Sequence, residues 1–412
     1  MSSASVPAPV VVRTVEVPDP DDLVLHLPDE APLGWIRHGE GLVGWGVAAS
    51  ITTSGPQRFA QANAWWREVS AGLVVDDPVG LRGTGPVAFG SFTFDAQRGS
   101  SVLIVPRVII GRSKGRAWLT TVGDAPVPRR LVPMAKPTDV TYTEGSLSTV
   151  GWEKAVASAV ERIGQGELEK VVLARDLMAS AAAPIDPRWL LGRLAYGYPA
   201  CWSFAVDGLI GATPEMLVRL DNSLVTSRVL AGTIRRSGDD AHDLALAASL
   251  ARSSKDLDEH EYAVRSVADV LAPHCTGMSV PESPFVLHLP NVMHLATDVA
   301  GVLADGSSSL ELAAALHPTA AVCGTPREAA LRVIRDVEEM DRDRYAGPVG
   351  WMDAAGDGDW GIALRCARID PADARRARLF AGCGIVAGSD PEAELAESQA
   401  KFVPMRDALS GS

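Results

Sequence analysis

An α+β fold, with large mixed or antiparallel β-sheets stacked together and helices outside, follows from three features of the sequence. Segments with alternating apolar residues and segments with helical apolar spacing are interleaved along 412 residues. They lack the regular strand–helix–strand rhythm of a doubly wound parallel sheet. Hydrophobic residues make up 47% of the chain, enough for a core shared by many strands, and no internal repeat or low-complexity tract interrupts it.

The elements follow in order. Residues 1 to about 30 are rich in Pro and Asp and read as frayed or edge-like. Trp35 to Gly46 reads as a strand, a turn through Gly39-Glu40-Gly41, and a second strand. Phe59–Val69 reads as helix, and alternating runs follow at Val87–Phe94, Ser101–Ile110 and Ala117–Val122. Asp124–Asp139 carries four prolines and reads as a connector between a β-rich part, 1–139, and the remainder, 140–412, within one catalytic unit. A helix starts near Thr149, with Trp152, Val156, Val160 and Ile163 on one face; Gly164-Gln165-Gly166 ends it, and Glu169–Leu173 enters a strand. Asp240–Leu271, Ser308–Leu316, Pro326–Glu338 and Pro391–Leu409 read as helical. Strands are expected at Ser203–Val206, Met216–Leu220, Gly347–Trp351, Trp360–Ile369 and Ala377–Ala381.

Composition narrows the function. A net charge of −13 argues against nucleic acid or an anionic membrane as partner, and an anionic substrate would need local positive groups. Five scattered cysteines without CxxC spacing point to a reduced, cytoplasmic protein with no disulfide or zinc framework. No apolar run reaches membrane-span length, and the N-terminus lacks the basic start and apolar core of a signal peptide. No helix shows an obvious second apolar stripe, so a monomer is expected.

Two acidic pairs carry the most information. Asp256 and Glu259 are three residues apart in one helical segment, and Glu394 and Glu397 are three apart in another. Each pair shares a helix face. Aimed at one point, four carboxylates would repel unless a hard cation sat between them, Mg²⁺ first; taken singly, each pair reads equally as a solvated helix face.

Other segments offer chemistry of their own. Lys170 flanks a Val-Val-Leu strand, where lost solvation would favour a basic amine; a snorkelling surface lysine would look the same. Glu215, in Gly-Ala-Thr-Pro-Glu, could protonate a leaving hydroxyl if its pKa were raised, or could be a turn glutamate. Leu230-Ala231-Gly232-Thr233 would let backbone approach a ligand. His294 and His317 sit in apolar surroundings, where a satisfied structural role is the ordinary one. Arg365, on the expected return strand after Tyr345–Trp351, could clamp a carboxylate with two hydrogen bonds or make a surface ion pair. The glycine-rich strand end around Gly382 and Gly384 could offer amides to an anion.

In order and spacing, these segments resemble the chorismate-utilising enzymes: isochorismate, salicylate, anthranilate and aminodeoxychorismate synthases. The matching runs are KVVLAR, GATPE, LAGT, SKDLDEHE, NVMHLAT, HPTAAVCGTP, YAGPVGW, IALRCA, AGCGIVAGSDPEAELAES and Lys401. They extend from Lys170 to the C-terminal region; the N-terminal part is similar only through its Trp- and Gly-rich hairpin. The resemblance implies the anthranilate synthase component I-like fold and chorismate, a dianion, as substrate. It implies Mg²⁺ bridging acidic side chains and the ring carboxylate, with Glu259 and Glu397 as direct ligands. Asp256 and Glu394 would act through water or from behind the ligands. Asp256 departs from members with Glu at that point and is one methylene shorter. Lys170 would be the base that activates water for attack at ring C2, and Glu215 the acid that protonates the departing C4 hydroxyl. Arg365 and Tyr345 would hold the enolpyruvyl carboxylate, and the amides of Gly382 and Gly384 with Lys401 would complete the anion cradle. His294 would lie near the ring, Thr233 near the reacting edge, and His317 is a candidate for the pocket.

Within the family, the sequence after His260 lacks the Leu-Val-Asp-x-x-Arg-Asn-Asp-Leu-Gly run of the ammonia-using members. The run from His317 to Arg327 and the hairpin at 351–360 are similar to the isochorismate synthase form. The resemblance therefore implies a reversible isomerase making isochorismate, destined for menaquinone or for siderophores. The alternatives are a salicylate synthase, which adds pyruvate elimination, and a non-catalytic chorismate-binding homologue. No Walker or GxSxG signature supports a nucleotide-binding or hydrolase reading.

Overall fold

The computed structural model of the chain describes residues 10–411 except Glu30, 125–131 and Asn291, together with the backbone but not the side chain of Lys255. Two large sheets, of 13 and 10 strands, account for the described strands. All their pairings are antiparallel except one, Val10–Val17 alongside Leu73–Asp76. Both sheets draw strands from both parts of the chain. In the larger one, Ser203–Ala205 pairs with Gly34–Ile36; in the smaller, Val349–Asp353 pairs with Val87–Ser91.

The sheets face each other across a core that includes Trp35, Phe89, Phe92, Phe204 and Trp360. Trp35 stands 6.5 Å from Phe204, and Phe92 meets Trp360 edge-on at 5.6 Å. Gly361 shows how close the layers come: a Cβ there would lie 3.0 Å from both the Trp35 ring and Thr213 Cγ2. Among the described residues, eight α-helices flank the sheets: α1 Arg58–Ala71, α2 Thr149–Gly164, α3 Pro187–Gly197, α4 Asp240–Leu250, α5 Ser254–Leu271, α6 Ser309–Leu316, α7 Arg327–Val337 and α8 Pro391–Ser410. Leu190, Leu191 and Leu194 of α3 and Phe402, Met405 and Leu409 of α8 cover the larger sheet in a second core with Ile210 and Leu379. Among the described residues, no helix is long and apolar enough to cross a membrane.

Most expected elements are present, and the departures have physical causes. Asp240–Leu271 is two helices, because Ser253 leaves the helical conformation and accepts from the Asp256 amide to cap α5. Ser101–Ile110 is two strands, Ser101–Val105 and Val108–Ser113, divided at Pro106, which has no N–H to donate to a ladder. The first hairpin turns at His38-Gly39, both at positive φ, and Glu40 already opens the second strand. Val10–Val17 is a paired strand rather than a frayed end; residues 1–9 lie outside the described residues, as do 125–131 of the Pro-rich connector. The sequence reading also passed over α3, although Asp186 caps it and Pro187 opens it.

Trp360–Ile369 is not one strand. Gly358–Ile362 belongs to the smaller sheet and Cys366–Ile369 to the larger. Arg365 stands in the crossing between them at φ +48°, so it is not on a strand. Residues 214–215 make a similar crossing from Leu209–Thr213 to Met216–Asp221. The crossings are tied together by backbone: Ile362 N–H donates to Glu215 O at 3.1 Å, and Ala212 N–H donates to Arg365 O at 3.3 Å.

Candidate active site

A cavity of about 130 Å³ lies against the two crossings, and Glu215, Thr233, His294, Tyr345, Arg365, Gly382, Gly384 and Lys401 all line it. The strand Lys170–Ser180 forms one wall and pairs with Arg376–Ile385, with Val172 opposite Gly384 and Ala174 opposite Gly382. Val172 N–H donates away from this ladder to Cys323 O, and Ala174 N–H donates away to Glu338 Oε1, both at 2.8 Å. These are therefore the non-hydrogen-bonded pairs of the ladder, so the N–H and C=O groups of Gly382 and Gly384 face the other edge of their strand. The Gly382 carbonyl confirms the direction by accepting from Lys401 Nζ at 2.8 Å. Two amides and an ammonium thus meet on the cavity side.

Glycine at 384 also makes room for the base candidate, since a Cβ there would come within 3.1 Å of Lys170 Cε. The Lys170 ammonium pairs with Glu259 of α5. On the opposite flank Lys401 pairs with Glu397, one turn earlier on α8, at 2.7 Å.

The first crossing buries Glu215, which is 7% exposed. Desolvation pushes its carboxyl up to about 8 against the opposing pull of Lys170 and Arg365, so it carries its proton at neutral pH. The second crossing holds Arg365 in a left-handed conformation uncommon for a non-glycine residue. Its Nη2 lies 3.2 Å from His294 Nε2, and its Nη1 is buried with no hydrogen-bond partner among the described residues. A buried guanidinium edge without an acceptor is costly unless a ligand supplies one. Tyr345 stacks on Phe380 at 5.1 Å, and its hydroxyl lies 3.1 Å from where a Gly382 side chain would begin.

Thr233 and His294 face each other across the strands Leu224–Arg235 and Val292–Leu303. A bulge at Gly232, φ +76°, sets that register. Thr233 Oγ1 and His294 Nδ1 are 2.9 Å apart. Burial, reinforced by Arg365 and Lys401, pulls the imidazole down to about 3, so it is neutral.

The acids divide. Glu394 and Glu397 offer carboxylate oxygens within 4.8 Å of each other and of Cys383 Sγ. Glu394 Oε1 accepts from Ser389 Oγ at 2.8 Å, while Oε2 is buried without a partner. Burial raises the Glu394 pKa, with Glu397 adding like-charge repulsion. Hard oxygen donors, one of them unsatisfied, fit a divalent cation such as Mg²⁺. Glu259 and Asp256 stand outside that group; Asp256 packs on the bulge, its Cβ 3.3 Å from where a Gly232 side chain would begin.

His317 corrects the sequence reading. It is outside the cavity, between Phe59 and Phe94, with Nε2 3.0 Å from Phe94 O. In the other direction, the reading missed Arg342, which lines the cavity and is salt-bridged to buried Glu338. Arg342 donates to Val172 O and Val322 O, and Glu338 accepts from Ala174 N–H. Together they close the strand edge behind the glycines. Their i,i+4 spacing was the available signal, but it is common on exposed helices.

A buried acid, Lys401, glycine amides and a guanidinium edge around one small cavity, with Lys170 close behind Gly384 but not in its lining, make a site suited to a small oxygen-rich anion. The chain belongs to the chorismate binding enzyme family, which it matches over residues 35–125 and 129–410. The isochorismate synthase DhbC of Bacillus subtilis is 42% identical over 270 residues, 63% of this chain and 67% of that protein. The salicylate biosynthesis isochorismate synthase of Pseudomonas aeruginosa is 33% identical over 92% of this chain and 84% of its own length. The solved structure of MenF, the menaquinone-specific isochorismate synthase of Escherichia coli, is 25% identical with a TM-score of 0.81, covering 97% of this chain and 94% of that one.

Proposed function

We propose that the protein is a Mg²⁺-dependent isochorismate synthase. The observation that carries this reading is the buried, protonated Glu215 in the same cavity as the unpaired edge of Arg365. Conversion of chorismate to isochorismate adds water oxygen at C2, shifts a double bond and breaks the C4–oxygen bond. Lys170 takes a proton from the attacking water. Glu215 gives its proton to the C4 oxygen, which leaves as water. Exchange of one proton between the two groups resets the site, and the same steps run backwards.

Arg365 Nη1 and the amides of Gly382 and Gly384 orient the substrate carboxylates, with Lys401 supplying charge beside them. Glu397, Glu259, Glu394 and, more remotely, Asp256 would hold Mg²⁺. When bound, the ion would neutralise the ring carboxylate and take up the charge of Glu259 that Lys170 otherwise meets. Phe380, Val322 and Leu364 give the cavity an apolar side.

The test is incubation with chorismate, with and without Mg²⁺, and chromatographic separation of products. Isochorismate that forms only with Mg²⁺ and stops short of full conversion is expected. Salicylate with pyruvate would move the assignment to a salicylate synthase, and unchanged chorismate would leave a binding protein.

A further inference from the structure

We infer that Arg365 locks His294 in its neutral Nδ1–H tautomer, and that this turns the Thr233 hydroxyl proton into the cavity as a donor to a substrate oxygen. The inference rests on reading the cavity as the chorismate site.

A guanidinium has only N–H groups to offer. With Arg365 Nη2 3.2 Å from His294 Nε2, that ring nitrogen must be the acceptor and carries no proton. A neutral ring then has its hydrogen on Nδ1. Nδ1 lies 2.9 Å from Thr233 Oγ1, whose lone pairs can take that hydrogen. Thr233 Oγ1 therefore accepts from the ring, and its own hydrogen cannot point back at it.

Thr233 lines the cavity, and among the described residues its side chain has no hydrogen-bond partner besides His294. The bulge at Gly232 makes the arrangement possible by bringing Thr233 opposite His294. His294 is in this account a positioning residue. It passes no proton; it sets a direction, from Arg365 through the ring to the hydroxyl. The guanidinium that clamps the substrate's carboxylate thus also orients a second donor several bonds away.

Two measurements test this. The first is two-dimensional ¹⁵N–¹H NMR of the imidazoles in the intact protein between pH 5.5 and 8, with the His294 signal assigned by its loss in His294→Gln. The expected ring is protonated at Nδ1, bare at Nε2 and constant over the range. An Nε2–H tautomer, or a ring that titrates, would overturn the lock whether or not the protein turns over chorismate. That separates failure of this inference from failure of the functional reading. The second compares Thr233→Ser with Thr233→Val by kcat/KM for chorismate. Loss of one donor to a substrate oxygen should lower kcat/KM about 10–100-fold in the valine variant, with the serine variant recovering at least about tenfold of it. Equal losses in both variants, or none in valine, would overturn the donor role.

Discussion

The two halves of the site are built differently. The crossings between the sheets carry Glu215, which is buried, and Arg365, which is half-buried with its Nη1 shut away from solvent, and are tied backbone to backbone. The helices α5 and α8 carry the acids, which stay wetter: the side chains of Glu259 and Glu397 are 33% and 43% exposed, and each is already paired with a lysine. Proton transfer needs a fixed, dry geometry, because a carboxyl holds its proton at neutral pH only when water is kept away. A cation that must enter and leave needs ligands at a solvated rim that can change partners. On the proposed reading, the same carboxylate chemistry would serve as acid on a crossing and as metal ligand on a helix.

Breaking the buried half should cost most. Lys170→Ala and Glu215→Gln are expected to remain folded and to lose about 10²–10⁴-fold in kcat each, the range for one proton transfer. Steady-state rates with a thermal melt as the folding control check this, and retained turnover in either variant removes that residue from its role.

Breaking the rim should change a different parameter. Glu397→Gln and Glu259→Gln should raise the Mg²⁺ concentration needed for half-maximal rate by at least about tenfold, one lost charged ligand being worth more than 1.4 kcal/mol. Chelation should abolish turnover reversibly. An unchanged Mg²⁺ requirement would place the ion elsewhere.

A pH experiment sharpens the contrast without a substrate. Glu215 has a folded pKa of about 8 against an ordinary 4.5, so between these values the folded chain binds a proton that the unfolded chain has released. Stability contributed by that proton is present below about pH 4.5 and is lost as pH rises through 8. The melting temperature of the wild type should therefore fall more steeply from pH 5 to 9 than that of Glu215→Gln. Parallel curves would mean that the carboxyl is ionised in the fold.

The smallest effect belongs outside both halves. His317→Asn should lower stability by about 1–3 kcal/mol through lost packing and an unpaired Phe94 carbonyl, with kcat/KM unchanged. A large rise in KM would return His317 to the pocket.

The helices were legible because their caps and apolar faces are local. Ser148, Asp186, Ser253, Ser308 and Asp390 each accept a hydrogen bond from an amide in the first turn of a helix, although the Asp186 and Ser253 caps were overlooked. The crossings were not legible. Trp360–Ile369 reads as one strand because its change of sheet is made by a single positive-φ residue, Arg365, whose identity gives no warning of it. Short motifs pointed to Glu215, Thr233 and the glycines, and the structure brings these into one cavity. His317 looked equivalent in sequence because burial against Phe59 and Phe94 depends on residues more than two hundred positions away. Arg342 was missed for the same reason: its partners Val172 and Val322 come from distant segments.

The central claim is that Lys170 and Glu215 exchange a ring hydroxyl for a water molecule. The most direct test is turnover of unlabelled chorismate in H₂¹⁸O with Mg²⁺, followed by mass spectrometry of the isochorismate after brief conversion. The account predicts one ¹⁸O atom per product molecule, located at the C2 hydroxyl. Isochorismate that forms without the label would mean that the hydroxyl migrates within the substrate, and it would contradict the assigned roles of both residues.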